Sequence, residues 1–454
     1  QVAGSFMATA FAGKQESLKF HCMVGIAPHT IRVSEGKLSR KDAGGTIEAE
    51  GTLDVSGKEP AFTLSARIAG LDIGPETKVK TDISGHLDIA GTMEDFAGTV
   101  SLGNRGASWK EMDLKAKLKG DARTIELTDL QAKLLAGSSS GSVSASRETD
   151  MRLTARFTGS NLNPARLRPD LDGDLNIDVK GELFVPEKRP MEGSFTASLK
   201  NSTFRKKSLT ADVDASFRDE IVRIKALSIK GNGFAATAAG ILQERLACEI
   251  RIADAAKLLP QAEGSLFAKG WVRWRENEPA GTLTARGKNM SYGDAKLSSL
   301  SASMEMPDGY KGGLTVDIAG RGLSYGALRA KRLDLGVTGK TEDHRMTLTL
   351  AHDGNTLSMQ AKGGYADGAW KGTIVSLSGT QTPFGRLDLS GPATVIASQK
   401  RLFLSPFILK SPTGEILDAG ADISMEPMIG SAAVKWERLN LARMGALIDP
   451  AKVQ

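Results

Sequence analysis

The sequence predicts an all-β chain, a long curved sheet of short strands with a few helical turns. Three observations carry this. Apolar and polar residues alternate with period two, which gives a strand one dry face and one wet face. Breaks containing Gly, Asp, Asn, Ser or Pro recur about every 8–12 residues, a spacing that gives roughly 35–40 strands. Helical periodicity is confined to single turns.

In chain order, the alternation is clear in Phe62-Thr-Leu64-Ser-Ala66-Arg-Ile68 and in Met151-Arg-Leu153-Thr-Ala155-Arg-Phe157. It returns in Leu314-Thr-Val316-Asp-Ile318, Leu333-Asp-Leu335-Gly-Val337 and Met346-Thr-Leu348-Thr-Leu350. The helical signals are Asp72-Ile-Gly-Pro75, Asn163-Pro-Ala-Arg-Leu167, Asp254-Ala-Ala-Lys-Leu-Leu-Pro260 and Asn440 to Ile448. Each opens with Asp or Asn, whose side chain accepts from amides two or three residues on and caps one turn. From Asp72 to Asn163 is 91 residues, from Asn163 to Asp254 another 91, and from Asp254 to Asn440 186. Gly85-His-Leu87, Gly173-Asp-Leu175 and Gly264-Ser-Leu266 follow the first three caps. The chain therefore reads as about five stacked units of roughly 90 residues, the fourth poorly marked.

Composition agrees. Fifty of 454 residues are glycine, 40% are hydrophobic and only 5% aromatic. That excludes wholesale disorder, and the glycines follow no collagen period. No apolar run is long enough for a membrane-spanning helix. Length alone gives about three domains, but a repeat array replaces that count. The chain begins at Gln1 within a strand-like pattern, as a piece of a longer protein would. Cys22 and Cys248 form neither a disulfide scaffold nor a CxxC site.

A one-faced sheet must cover its apolar side. With Leu, Ile, Val, Met and Ala on that side and few aromatics, the pattern suits a groove that shields acyl chains. Each shielded CH₂ stabilises by about 0.8 kcal/mol. Some 40 strands at ~4.8 Å would give a length on the order of 190 Å. The alternative is a closed structural core. Strand parity names the candidate lining. It comprises Phe62, Leu64, Ile68, Leu87, Ile89, Leu153, Phe157, Leu175, Ile177, Phe195 and Leu199, then Leu314, Val316, Ile318, Leu333, Leu335, Leu348, Leu350, Leu387 and Leu389.

Charge is mild, +6 from 59 basic and 53 acidic residues. The short basic clusters Arg205-Lys206-Lys207 and Arg329-Ala-Lys331-Arg332 lie beside strands, where they guard edges; no nucleic-acid partner is expected. Catalytic motifs are missing. His21, His29, His86, His344 and His352 make no HxxxH or HExxH pair, and no GxSxG or Walker A loop occurs. Gly320 to Gly326 is one residue too long for GxGxxG, and Ser34-Glu-Gly-Lys37 lacks the companions of an SxxK enzyme. No enzyme, cofactor or metal site is expected. Trp271 and Trp274, three apart, should face opposite ways. Those two, like Trp109, Trp370 and Trp436, read as packing residues.

Near the C-terminus the order is specific: Gly368-Ala-Trp370-Lys-Gly, Thr382-Pro-Phe-Gly385, Leu387-Asp-Leu-Ser-Gly-Pro-Ala393, Leu402-Phe-Leu-Ser-Pro-Phe-Ile-Leu409, and Gly430 to Ala442 with Trp436. Over about residues 364–448 this resembles the TamB family of translocation and assembly module proteins, within the AsmA-like group. Phe407-Ile-Leu409 stands where a Cys is common in that family. The resemblance implies a β-taco, with residues 1–363 an AsmA-like repeat groove and 364–454 a C-terminal-type segment continuous with it. It implies a periplasmic lipid conduit carrying phospholipids towards the outer membrane. The inner-membrane anchor would lie outside this sequence, and the partner would be an Omp85-type, TamA-like outer-membrane β-barrel. The alternative role is a chaperone or interaction protein for assembly of outer-membrane barrels or autotransporters.

Overall fold

Alternating residues form strands whose two faces differ, and the short polar breaks return the chain antiparallel to itself. The computed structural model describes residues 2–12, 15–40, 44–72, 74, 80–105, 112–275, 278–309, 312–326, 328–382 and 385–438. Among these are thirty strands and two short 3₁₀ turns, and the chain divides into two compact units, Gln1–Asn232 and Gly233–Gln454.

In the first unit the strands are β1 Val2–Ala12, β2 Gln15–Ala27, β3 Thr30–Arg40, β4 Thr46–Asp54, β5 Ala61–Leu71, β6 Ile83–Thr92, β7 Phe96–Asn104 and β8 Met112–Gly120. They continue as β9 Thr124–Leu134, β10 Gly137–Arg147, β11 Met151–Leu162, β12 Gly173–Val185, β13 Glu192–Phe204, β14 Lys207–Arg218 and β15 Ile221–Gly231. Each pairs antiparallel with its sequence neighbours in one up-and-down sheet.

The second unit holds β16 Phe234–Ile241, β17 Arg245–Ile252, β18 Ala262–Arg275, β19 Glu278–Tyr292, β20 Ala295–Met306, β21 Leu314–Tyr325, β22 Leu328–Gly339 and β23 His344–His352. After these come β24 Asn355–Ala366, β25 Ala369–Thr382, β26 Gly385–Leu389, β27 Ala393–Ser398, β28 Arg401–Lys410, β29 Ile416–Met425 and β30 Met428–Glu437. The meander continues with one irregularity. β26 and β27 both pair with β25 and with β28, so they share a single strand position broken around Gly391-Pro392.

Thirty strands replace the 35–40 expected because many breaks are not turns. Among the described residues, five non-glycine residues inside strands take left-handed φ: Glu35 (52°), Asp129 (48°), Asn161 (56°), Asn201 (48°) and Asn289 (48°). All five lie on odd-numbered strands. Register shifts accompany them at Val33/Gly36, Gly159/Leu162 and Leu199/Ser202, the mark of β-bulges. Asn176 on β12 joins two of these bulges. Its side-chain oxygen accepts from the Asn161 amide at 3.0 Å, and its Nδ2 donates to the Asn201 carbonyl at 2.7 Å.

The capped turns occur where the spacing placed them. Asn163 Oδ1 accepts from the Ala165 amide at 2.9 Å and Asp254 Oδ1 from the Ala256 amide at 3.1 Å, ahead of the 3₁₀ turns Pro164–Arg166 and Ala255–Lys257. Asp72 Oδ1 accepts from Gly74 and Thr81 amides at 2.8 and 2.9 Å. Six strands separate Asp72 from Asn163 and six separate Asn163 from Asp254, so a 91-residue unit is six strands and one cap. With β26 and β27 counted as one position, β18 to β30 fill twelve, two such units. The missing marker between them has a cause: β23 and β24 are joined by the two-residue turn Asp353-Gly354, with φ of 47° and 83°, which needs no cap. Trp109, Pro75 and Asn440 to Ile448 lie outside the described residues.

Candidate functional site

Strand pairing turns the alternation into rows, because residues opposite one another in the ladder share a face. In the first unit one row runs Leu64, Ile89, Gly98, Leu118, Leu127, Val143, Ala155, Gly181, Phe195, Ala215, Ile224 across eleven strands. It holds no polar side chain. One residue along β5, on the opposite face, the row Ser65, Asp88, Thr99, Lys117, Thr128 is wholly polar. In the second unit the matching apolar row is Ala236, Ile250, Ala268, Ala285, Ala302, Ile318, Leu335, Leu348, Met359, Leu377.

The structure brings the sequence-derived candidates onto these apolar faces. Phe62 lies opposite Gly91, Leu87 opposite Ala66, Leu153 opposite Leu183, Phe157 opposite Val179 and Ile177 opposite Leu199. Ile68 faces Gly85, and Leu175 faces Leu162. In the second unit Leu314 faces Gly339, Val316 faces Val337, Leu333 faces Leu350, Leu387 faces Gly379 and Leu389 faces Leu409. Row neighbours such as Leu118, Leu127, Leu283 and Leu377 share the faces but were not singled out, although Leu114-Lys-Ala116-Lys-Leu118 alternates as clearly as the others. Glycines in the rows leave room for rings: a Cβ at Gly141 would come within 2.8 Å of Phe157, and one at Gly193 within 2.7 Å of Phe217.

These faces are not sealed. The accessible surface is 28962 Å², against about 16,500 Å² for a compact protein of this mass and about 20,000 Å² for two separate halves. Large apolar side chains stay part-exposed, Phe195 at 43%, Leu64 at 36% and Leu283 at 37%. Among the described residues, ten of the fifteen buried apolar residues are alanines. A filled sandwich core would show the reverse, with large side chains buried deepest.

A polar pair, Trp370 with His344, interrupts the second unit's apolar side, and sequence reading missed it. Trp370 Nε1 donates to His344 Nε2 at 2.9 Å, while His344 Nδ1 lies 3.1 and 3.2 Å from the Lys340 and Thr341 carbonyls. The indole can only donate, so Nε2 is bare and Nδ1 carries the proton. Both polar ring atoms are satisfied, and the Trp370 indole lies over Gly363 and Gly372. Trp271 and Trp274 do face opposite ways. Trp271 is on the polar side under the Arg245 guanidinium, 5.5 Å from its ring centroid. Trp274 is on the apolar side, opposite Pro279.

Among the described residues no group of three His, Cys, Asp or Glu side chains is placed to hold a metal, and no helix is long and apolar enough to cross a membrane. The Cys248 thiol lies in an apolar row between Ala238 and Gly270, where burial raises its pKa and keeps it a thiol. The geometry offers an extended apolar surface. A family model described as the TamB N-terminal domain matches residues 41–451. No curated protein and no solved structure matches the chain.

Proposed function

The chain belongs to the TamB family, and from that premise we propose that its apolar faces carry phospholipid acyl chains while head groups stay in water. Members of the family form non-enzymatic transport and assembly modules, periplasmic and membrane-associated. One observation carries the lipid reading: unbroken apolar rows whose large side chains remain part-exposed. A row without fixed polar partners holds a chain anywhere along it, which permits sliding. The Leu, Ile, Val and Phe candidates act collectively, each covering a few CH₂ groups at about 0.8 kcal/mol apiece.

The same proposal includes residues 364–454 as a C-terminal-type segment continuous with 1–363. It also includes inner-membrane anchoring of the full-length protein and delivery towards a TamA-like, Omp85-type barrel. The test is extraction of the purified chain followed by lipid mass spectrometry. Diacyl phospholipids should be recovered in more than trace amount. A lipid-free protein with a cooperative melt would mean that the apolar face is a closed core.

A further inference from the structure

The polar side of the sheet is mostly self-neutralised. Lys117 pairs with Asp129 at 2.8 Å, Lys119 with Glu126 at 3.0 Å and Arg218 with Glu192 at 2.6 Å. The polar side of β17 to β19 departs from this. Those three strands carry seven Lys and Arg against three Glu. Alternation sends the charged residues to the side opposite Ile250, Ala268 and Ala285. Phe267 and Trp271 stand among them, with the Arg251 and Arg245 guanidinium groups stacked 5.4 and 5.5 Å from their ring centroids.

The strands curve here into a hollow of about 580 Å³. Lys269 and Arg286 form one wall, Ser301 and Ser303 the middle, and Asp317 the far side. The register sets this order: Lys269, Thr284, Ser303 and Asp317 follow one another across β18 to β21, and Phe267, Arg286 and Ser301 form the next row. Among the described residues neither Lys269 nor Arg286 is ion-paired with a carboxylate. Arg251 is, with Glu249 at 3.1 Å.

We infer that this hollow docks a carboxylated, hydroxyl-rich glycan strand, the chemistry of the cell-wall polymer in the compartment where this family works. Two unpaired cations suit the polymer's carboxylates, the serine and threonine hydroxyls suit its sugar hydroxyls, and the Phe267 ring offers an apolar surface to sugar C–H groups. Asp317 suits the free amino groups of its peptides. A flat anionic bilayer fits less well, since it cannot enter a hollow and would be repelled by Asp317 on its far side. The occupant is a thin strand carrying both signs of charge. Docking here leaves the apolar side of the same strands free.

The experiment is co-sedimentation of the 454-residue chain with purified insoluble cell-wall sacculi. Wild type should pellet and be released by salt. Lys269→Glu with Arg286→Glu should lower retention by about tenfold or more. Lys269→Gln with Arg286→Gln, which neutralises without reversing charge, covers the case of a folding defect. Both variants should keep whatever lipid the wild type carries, because neither residue lies on the apolar face. Leu64→Arg, on the apolar face of the first unit, should pellet like wild type. The inference is overturned if wild type ignores sacculi, if the charge variants pellet equally well, if Leu64→Arg abolishes retention, or if the chain pellets with phosphatidylglycerol vesicles and not with sacculi.

Discussion

Leu335→Arg is expected to empty the second unit of lipid while leaving its fold in place. Leu335 sits mid-row between Ile318 and Leu348, with apolar neighbours for several strands on either side. The face is open, so an arginine there extends its guanidinium to water. The cost to folding is then the lost packing of one part-exposed leucine, about 1–2 kcal/mol. An acyl chain crossing that point must strip water from the cation, which costs several kcal/mol per ion with no counter-charge in the row. A single such barrier interrupts a continuous path. Lipid mass spectrometry on the variant should find bound phospholipid sharply reduced, and circular dichroism should find the β signal kept. If the variant unfolds instead, Leu335 lies in a sealed core.

Gly270→Val should produce the opposite pattern, a loss of structure. Gly270 lies in register between Cys248 and Leu283, and a Cβ there would overlap the Thr282 carbonyl oxygen of the next strand. The obstacle is backbone, which moves only by opening the β18–β19 ladder. The expected cost is about 3 kcal/mol or more, at the upper end of overpacking. Hydrogen exchange should show lost amide protection in β17 to β19. Gly181→Ala is the control: on the same kind of row, its Cβ would meet the Ser194 carbonyl oxygen at 3.7 Å and the Phe195 Cβ at 3.9 Å, ordinary contacts. It should melt within about 0.5 kcal/mol of wild type. A Gly270→Val protein that melts like wild type would mean that the two strands are not this close.

The faces were legible in the sequence because a strand's period of two needs no knowledge of its partners. Leu64 and Leu335 could be assigned to the apolar side from their own segments. The strand count was not legible for a related reason. Asn161, Asn201 and Asn289 look like turn residues, and they do adopt the left-handed conformation that turns use. Here that conformation makes a bulge and the strand goes on. The repeat was legible where Asn163 and Asp254 cap a turn. It was hidden where Asp353-Gly354 makes a hairpin and where Pro392 splits one strand position into β26 and β27. The hollow on the polar side was the least accessible feature. Lys269, Arg286 and Asp317 meet only through the register of four strands.

The measurement that bears most directly on the lipid path is photo-crosslinking in cells at two adjacent positions of β22. A benzophenone amino acid replaces Leu335, on the apolar face, or Asp334, on the polar one. If acyl chains travel along the apolar rows, Leu335 yields a phospholipid adduct and Asp334 does not. Equal adducts at both positions, or none at Leu335 in a folded protein, would contradict it.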